Sequence, residues 1–219
     1  EVSSQIEIHR PFGGVVPNLA KREHIQNLPI VYRQILENPK IQNPKSKIDL
    51  IAVTVGPGLE PCLWTGINFA ENLAKELNRP LIGVNHLEGH IYSNWLKPIR
   101  GILNLKFKIL NSKSTIEFPS IVLLVSGGHT MLILMTSLTP PASGWKVLGE
   151  TKDDAVGEAF DKVAKMLKLP YPGGPEIELL ARQIPSSKTQ NPKSKIQNLV
   201  EFPRPMIHEK NYDFSFSGL

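Results

Sequence analysis

The run Asp49-Leu50-Ile51-Ala52-Val53-Thr54-Val55, closed by Gly56-Pro57-Gly58, decides the fold class. It is short and mostly apolar, the mark of a strand buried inside a sheet. The Gly-Pro-Gly that follows turns the chain. Leu63, Ile67, Ala70, Ala74 and Leu77 come next, at spacings that place all five on one face of a helix. Pro80 stops that helix, and residues 81–84 read as a second buried strand. Strand, helix, strand is a βαβ unit. Upstream, Leu28, Val31 and Ile35 mark another helix within residues 14–37.

Downstream, two apolar runs, 121–125 and 131–135, flank Ser126-Gly127-Gly128-His129-Thr130 and read as a β-hairpin. Residues 145–148 offer a third strand. Val156, Phe160, Val163 and Leu167 form a helical stripe whose large residues are expected to face inward. Tyr171-Pro172-Gly173-Gly174-Pro175 breaks the chain, as a stiff turn with room for a flat group, before a helix over 176–184. The expected class is α/β in two lobes. Residues 1–97 belong to the first, 98–118 form a basic inserted linker, and 119–219 belong to the second, with a low-complexity insert at 185–199.

The chain has 219 residues, 25 basic and 20 acidic, for a net charge of +5. Segments 38–48, 97–113 and 185–199 carry 11 of the basic residues and no acid. The remaining chain therefore holds 14 basic residues against 20 acidic ones, a balance of −6. Gln42-Asn43-Pro44-Lys45-Ser46-Lys47-Ile48 recurs residue for residue at 190–196, which marks two Pro/Lys/Ser-rich loop inserts rather than a solenoid. The single cysteine, Cys62, excludes an internal disulfide and a Cys-rich zinc site, and the expected setting is a reducing cytoplasm. The longest apolar runs in the middle of the chain fall far short of the roughly 20 residues a membrane helix needs, so no membrane partner is expected.

Three constellations carry chemistry. His86 and His90, four apart in Asn85-His86-Leu87-Glu88-Gly89-His90, share one helix face, so two imidazoles converge either on one metal ion or on hydrogen-bond partners. The protease pattern H-E-x-x-H places its glutamate directly after the first histidine; here Leu87 stands there and Glu88 comes one position late. The Ser126–Thr130 turn follows a strand, and its consecutive glycines allow backbone amides to approach an anion, with the Ser126 and Thr130 hydroxyls as further donors; an ordinary hairpin turn is the alternative. Neither a Rossmann nor a Walker spacing is present. In Asp153-Asp154-Ala155-Val156-Gly157-Glu158-Ala159-Phe160-Asp161-Lys162, Gly157 marks a close approach by some other group, and Asp161 one turn on can bond a ligand hydroxyl. Asp153 and Asp154 read as N-cap and dipole-matching residues.

These stretches, together with Phe12-Gly13-Gly14-Val15-Val16-Pro17, Gly56-Pro57-Gly58-Leu59, Phe202-Pro203-Arg204-Pro205-Met206 and residues 213–219, resemble the landmarks of the tRNA threonylcarbamoyladenosine transferase family of the bacterial TsaD type, formerly labelled O-sialoglycoprotein endopeptidases. The resemblance implies a two-lobed actin/sugar-kinase/Hsp70-like (ASKHA) fold, here incomplete. It implies transfer of a threonylcarbamoyl group from threonylcarbamoyl-adenylate to N6 of adenosine 37 in tRNAs that read codons beginning with adenine. It makes His86 and His90 ligands of one divalent metal, iron(II) first and zinc second. It places the adenylate against Leu124, Val125, Ser126, Gly127 and Gly128, with Asp161 and Gly174 on its nucleoside part. The implied partners are tRNA, a smaller paralogous subunit and an ATPase subunit.

Departures from the family pattern set further expectations. Its opening strand and its downstream metal-ligating aspartate have no counterpart here, and Met131 stands where glutamine is usual. The chain is therefore expected to be a fragment, inactive alone. Two other readings compete: a non-catalytic lobe that only pairs with a partner, and, more weakly because of Glu88, a metalloprotease.

Overall fold

The computed structural model describes residues 1–38, 48–95, 117–137, 144–183 and 202–219. The chain forms two compact units, Glu1–Ile99 and Arg100–Leu219. The three basic segments and both copies of the repeated heptapeptide lie almost wholly outside the described residues.

In the first unit, α1 (Ile6–His9) leads through a short 3-10 turn into α2 (Pro17–Leu36). The latter begins with proline, whose missing amide is one that a helix start leaves unbonded anyway. His9 is buried; its Nδ1 accepts the Val16 amide at 3.3 Å and its Nε2 lies 3.3 Å from Gln5 Oε1, which fixes the entry into α2. β1 (Ile51–Gly56), α3 (Glu60–Leu77) and β2 (Leu81–Asn85) form the expected βαβ unit, with parallel pairing of Ile51 to Leu81 and Val53 to Gly83. The face of α3 expected from its spacing is the one it buries. Ala70 and Ala74 join Ile51 in the core, with Val53, Leu73 and Leu77 packed around them. Tyr32 of α2 meets Phe69 of α3 edge to face at 6.1 Å.

The strands themselves depart from expectation. Both were expected to be buried, yet only Ile51 of the two is buried, and Leu81 and Ile82 stand 39% and 48% exposed. The reason is geometric: the sheet has two strands, and α3 packs mainly on β1, which leaves much of β2 exposed.

In the second unit, β3 (Ser120–Val125), β4 (Thr130–Met135) and β5 (Trp145–Glu150) form an antiparallel sheet in chain order. β3 and β4 are the expected hairpin, paired from Ser120–Met135 to Val125–Thr130. α5 (Val156–Met166) and α6 (Gly173–Arg182) pack on each other.

The α5 stripe is corrected. Phe160 and Val163 are each 43% exposed and Leu167 more so, whereas Ala155 and Ala164 are buried. A Cβ on Gly173 would collide with Ala164, so the two helices meet through small residues at close range. That contact leaves the large side chains pointing away. α6 also starts three residues earlier than expected: Gly173, Gly174 and Pro175 form its first turn, where proline needs no amide partner.

Candidate functional site

The hairpin turn is built from its own side chain outward. Ser126 donates its amide to the His129 carbonyl at 2.8 Å. Its Oγ accepts the amides of Gly128 at 3.3 Å and His129 at 3.0 Å. Two amides that the sequence offered to an anion are thus occupied by the serine hydroxyl, as in other Ser/Thr turns. Thr130 is corrected more sharply: it is 2% exposed, and its hydroxyl accepts the Val156 amide at 3.0 Å under the start of α5. It braces the turn and is not a donor to a ligand in solvent.

Gly157 does mark a close approach, and the group is the turn itself. A Cβ there would lie 2.7 Å from Gly127 Cα and 2.9 Å from the Ser126 oxygen, and the Gly157 amide donates to that oxygen at 3.2 Å. The first two amides of α5, which its own helix cannot satisfy, are therefore spent on the hairpin. Of the other residues expected around an adenylate, Leu124 is buried, so only its backbone can face a ligand. Val125 stands half exposed, and Gly127 and Gly128 are exposed at the tip.

Asp161 accepts the Gly173 amide on Oδ1 at 2.7 Å and so fixes the start of α6. Burial, and then the nearby Asp161 charge, push the Tyr171 phenol up from its ordinary value. Gly174 is half-buried with open space where a Cβ would be, whereas a Cβ on Gly173 would collide with Ala164.

Asp153 and Asp154 are corrected as well. The N-cap of α5 is Ala155, with no side-chain cap. Asp154 instead pairs with Lys162, at 2.5 Å. Asp153 accepts bonds from residues 215–217, on a segment more than sixty positions away that the sequence did not connect to it.

The histidine pair sits in the first unit, on α4 (His86–Tyr92). Asn85 caps this helix, its Oδ1 accepting the Leu87 amide at 2.8 Å and the Glu88 amide at 3.3 Å. His86 and His90 are exposed, with Nε2 atoms 3.1 Å apart and ring centroids 4.4 Å apart. Two nitrogens each about 2.0–2.1 Å from one ion lie roughly 2.8–3.4 Å from each other in tetrahedral or octahedral geometry. The two rings are hydrogen-bonded to each other through these atoms, and their separation is also that of two adjacent ligands of one cation. Among the described residues no group of three or more His, Cys, Asp or Glu side chains gathers.

The chain is α/β, with an exposed i, i+4 imidazole pair in one unit and a serine-glycine hairpin locked onto a helix start in the other. The family model for tRNA N6-adenosine threonylcarbamoyltransferase matches residues 1–219, and the chain belongs to that family. It is 46% identical over 218 residues to the tRNA N6-adenosine threonylcarbamoyltransferase of Thermosipho melanesiensis, covering all of this chain and 57% of the relative. The enzymes of that name from Dichelobacter nodosus and Clostridioides difficile are 44% and 42% identical over 219 and 218 residues, in each case 100% of this chain and 55% of the relative. The chain thus spans a little over half the length of the curated relatives it matches.

Proposed function

We propose that this chain contributes to an enzyme that transfers the threonylcarbamoyl group from threonylcarbamoyl-adenylate to N6 of adenosine 37 in tRNAs reading codons that begin with adenine. The observation that carries the reading is the family match along all 219 residues, supported by the fit of His86 and His90 to one cation. In the reaction, the N6 nitrogen attacks the carbonyl carbon of the mixed anhydride. A C–N bond forms, the C–O bond to the phosphate breaks, AMP departs and N6 loses a proton. The attacking amine must stand clear of base stacking, as a base in an anticodon loop does.

The chain's own residues bind and orient. Val125, Gly127 and Gly128 offer an exposed strand end and turn tip to the adenylate, and Leu124 and Ser126 hold that tip in place. Asp161 and Gly174 take the nucleoside part, a reading supported by the open Cβ position at Gly174 and by the Asp161 bond to the Gly173 amide beside it. His86 and His90 are the residues that would hold the divalent cation, iron(II) or zinc. When bound, it supplies Lewis acidity toward a carbonyl or phosphoryl oxygen. A two-lobed ASKHA architecture, a cytoplasmic setting, and partnership with a smaller paralogous subunit and an ATPase subunit belong to the same reading. Among the described residues no helix is long and apolar enough to cross a membrane.

The test is a reconstituted transfer reaction in which a full-length relative carries this chain in place of its matching residues, with a tRNA transcript, threonine, bicarbonate, ATP and the partner subunits, read by mass spectrometry of the nucleoside at position 37. The expected result is threonylcarbamoyladenosine that depends on this protein and disappears in His86→Ala/His90→Ala. Metal-dependent peptide cleavage with no modified nucleoside would replace the proposal with the protease reading, and modification indifferent to both substitutions would remove the metal from it.

A further inference from the structure

The segment 211–217 lies along the outer edge of β5 as a short parallel addition to the sheet. Phe214 bridges Thr151, donating its amide to the Glu150 carbonyl at 3.0 Å and accepting the Lys152 amide at 2.9 Å. Asp213 accepts the Glu150 amide on Oδ1 at 3.0 Å, and its other oxygen meets Lys152 Nζ at 3.0 Å. Gly149 is required here: a Cβ would run into the Tyr212 carbonyl, which is backbone and cannot yield.

One side chain closes the attachment. Asp153 Oδ2 accepts the Ser215 hydroxyl at 2.5 Å, while Oδ1 accepts the Phe216 amide at 2.7 Å and the Ser217 amide at 3.3 Å. The Asp154 amide returns a bond to Ser217 Oγ at 3.3 Å. A carboxylate that gathers a hydroxyl and two amides is stabilised in its charged form. Its pKa falls accordingly, to about 2, with the Ser215 bond the largest cause and the Phe216 amide next.

The same loop is tied to the hairpin turn. The Thr151 amide donates to the Thr130 carbonyl at 2.9 Å, and the Thr151 hydroxyl donates to the Asp154 carbonyl at 2.7 Å. Thr130 in turn holds the Val156 amide, and Ser126 holds Gly157. Residues 151–157 are therefore one short strap, bonded to the tail on one side and to the Ser126–Thr130 turn on the other.

We infer that Asp153 is a positioning residue that fastens residues 215–217 to the strap carrying Thr151 and Gly157, so that the tail and the hairpin turn behave as one cooperative body. The fastening stands on the hydrogen bonds alone; its consequence for the adenylate rests on the proposed function.

Site-resolved amide hydrogen exchange on the chain and its Asp153→Ala variant tests it. In the variant, exchange at Phe216 and Ser217 should rise about tenfold or more, and exchange at His129 and Gly157 should rise severalfold. The β3–β4 ladder amides should stay unchanged, because local opening samples a cooperative unit rather than the whole protein. Unchanged exchange at His129 and Gly157, or an equal rise everywhere, overturns the inference. Ser215→Ala, which removes only one bond, should loosen the same amides less, and adding it to Asp153→Ala should loosen them no further, since the two groups share one interaction. Fully additive effects count against it. In the transfer reaction, Asp153→Ala should raise KM for the adenylate severalfold with kcat within about twofold, whereas a fall in kcat alone assigns Asp153 another role. Absence of transfer by the full-length relative carrying this chain's unaltered residues refutes the proposed function and leaves the exchange result to decide the fastening.

Discussion

The hairpin–strap junction of the second unit and the histidine pair of the first solve opposite problems. At the junction, Thr130 and Ser126 accept the Val156 and Gly157 amides and Asp153 accepts bonds from residues 215–217, so these polar groups are bonded within the unit. On α4, two exposed imidazoles are hydrogen-bonded to each other through Nε2, at a separation that also suits two ligands of an ion that needs more. In the first arrangement packing accounts for Gly157, where a Cβ would run into the turn, whereas Gly127 and Gly128 lie at the open tip. The second is open, and its geometry gains a purpose only from what binds there. A glycine-rich turn and an H-x-x-x-H look alike as motifs, yet the first is bonded into its unit with only the Gly127–Gly128 tip exposed, whereas the second lies exposed on its helix.

The sharpest way to break this contrast is to remove the open site. His86→Ala/His90→Ala should lower the affinity for zinc or iron(II) on the order of 100-fold or more, because both nitrogen donors go at once. Calorimetric titration reads it directly. The melting temperature should hardly move, since neither ring is buried. A large loss of stability with metal binding intact would invert the comparison.

Gly157→Ala attacks the closed site. Alanine gains about 1 kcal/mol of helix propensity over glycine, but its Cβ would press on the backbone of Ser126 and Gly127, which cannot rotate away. Overpacking of that kind costs about 1–3 kcal/mol, and contact with backbone argues for the upper end. The expected net loss is about 2 kcal/mol in denaturant unfolding, and a stabilised variant would show that the turn yields. Asp161→Ala should cost less, about 1 kcal/mol, as loss of one cap-like bond to Gly173. Equal or larger damage there would mean that α6 leans on Asp161 for more than its first amide.

Local periodicity made part of this legible. The spacing of Ala70, Ala74 and Leu77 identified both a helix and its buried face, because the alanines that α3 buries beside Ile51 share one stripe with its larger apolar residues. The same reasoning found α5 and then faced it the wrong way. Its contact with α6 runs through Ala164 and Gly173, and close backbone approach inverts the rule that large residues point inward. Gly157 announced a close neighbour, but nothing local could say that the neighbour was Gly127, thirty residues earlier. The bonds of Asp153 to residues 215–217 were invisible for the same reason: Asp at a helix start reads as a cap, and the partner that overrides this lies beyond any local window.

Asp153 also supplies the finest test of the contrast, through acid. Its carboxyl sits at about 2 in the folded chain, against 3.8 for an unperturbed aspartate. Between those values the unfolded chain binds more protons than the folded one, so stability rises with pH across that window. The contribution is complete above about 3.8 and is lost as pH falls toward about 2. Asp154 and Asp213 are lowered too, by hydrogen bonds first to Lys162 and to the Glu150 amide respectively, and act in the same direction. All three carboxylates are solvent-accessible enough for water and salt to screen them, so the effect should be modest. The discriminating measurement is therefore a difference: unfolding of the chain and of Asp153→Ala followed from pH 5 to pH 2. The two stability curves should converge as Asp153 protonates. Curves that stay parallel would mean that the ionised carboxylate contributes nothing and that the strap is held by the backbone bonds of Thr151 and Phe214 alone.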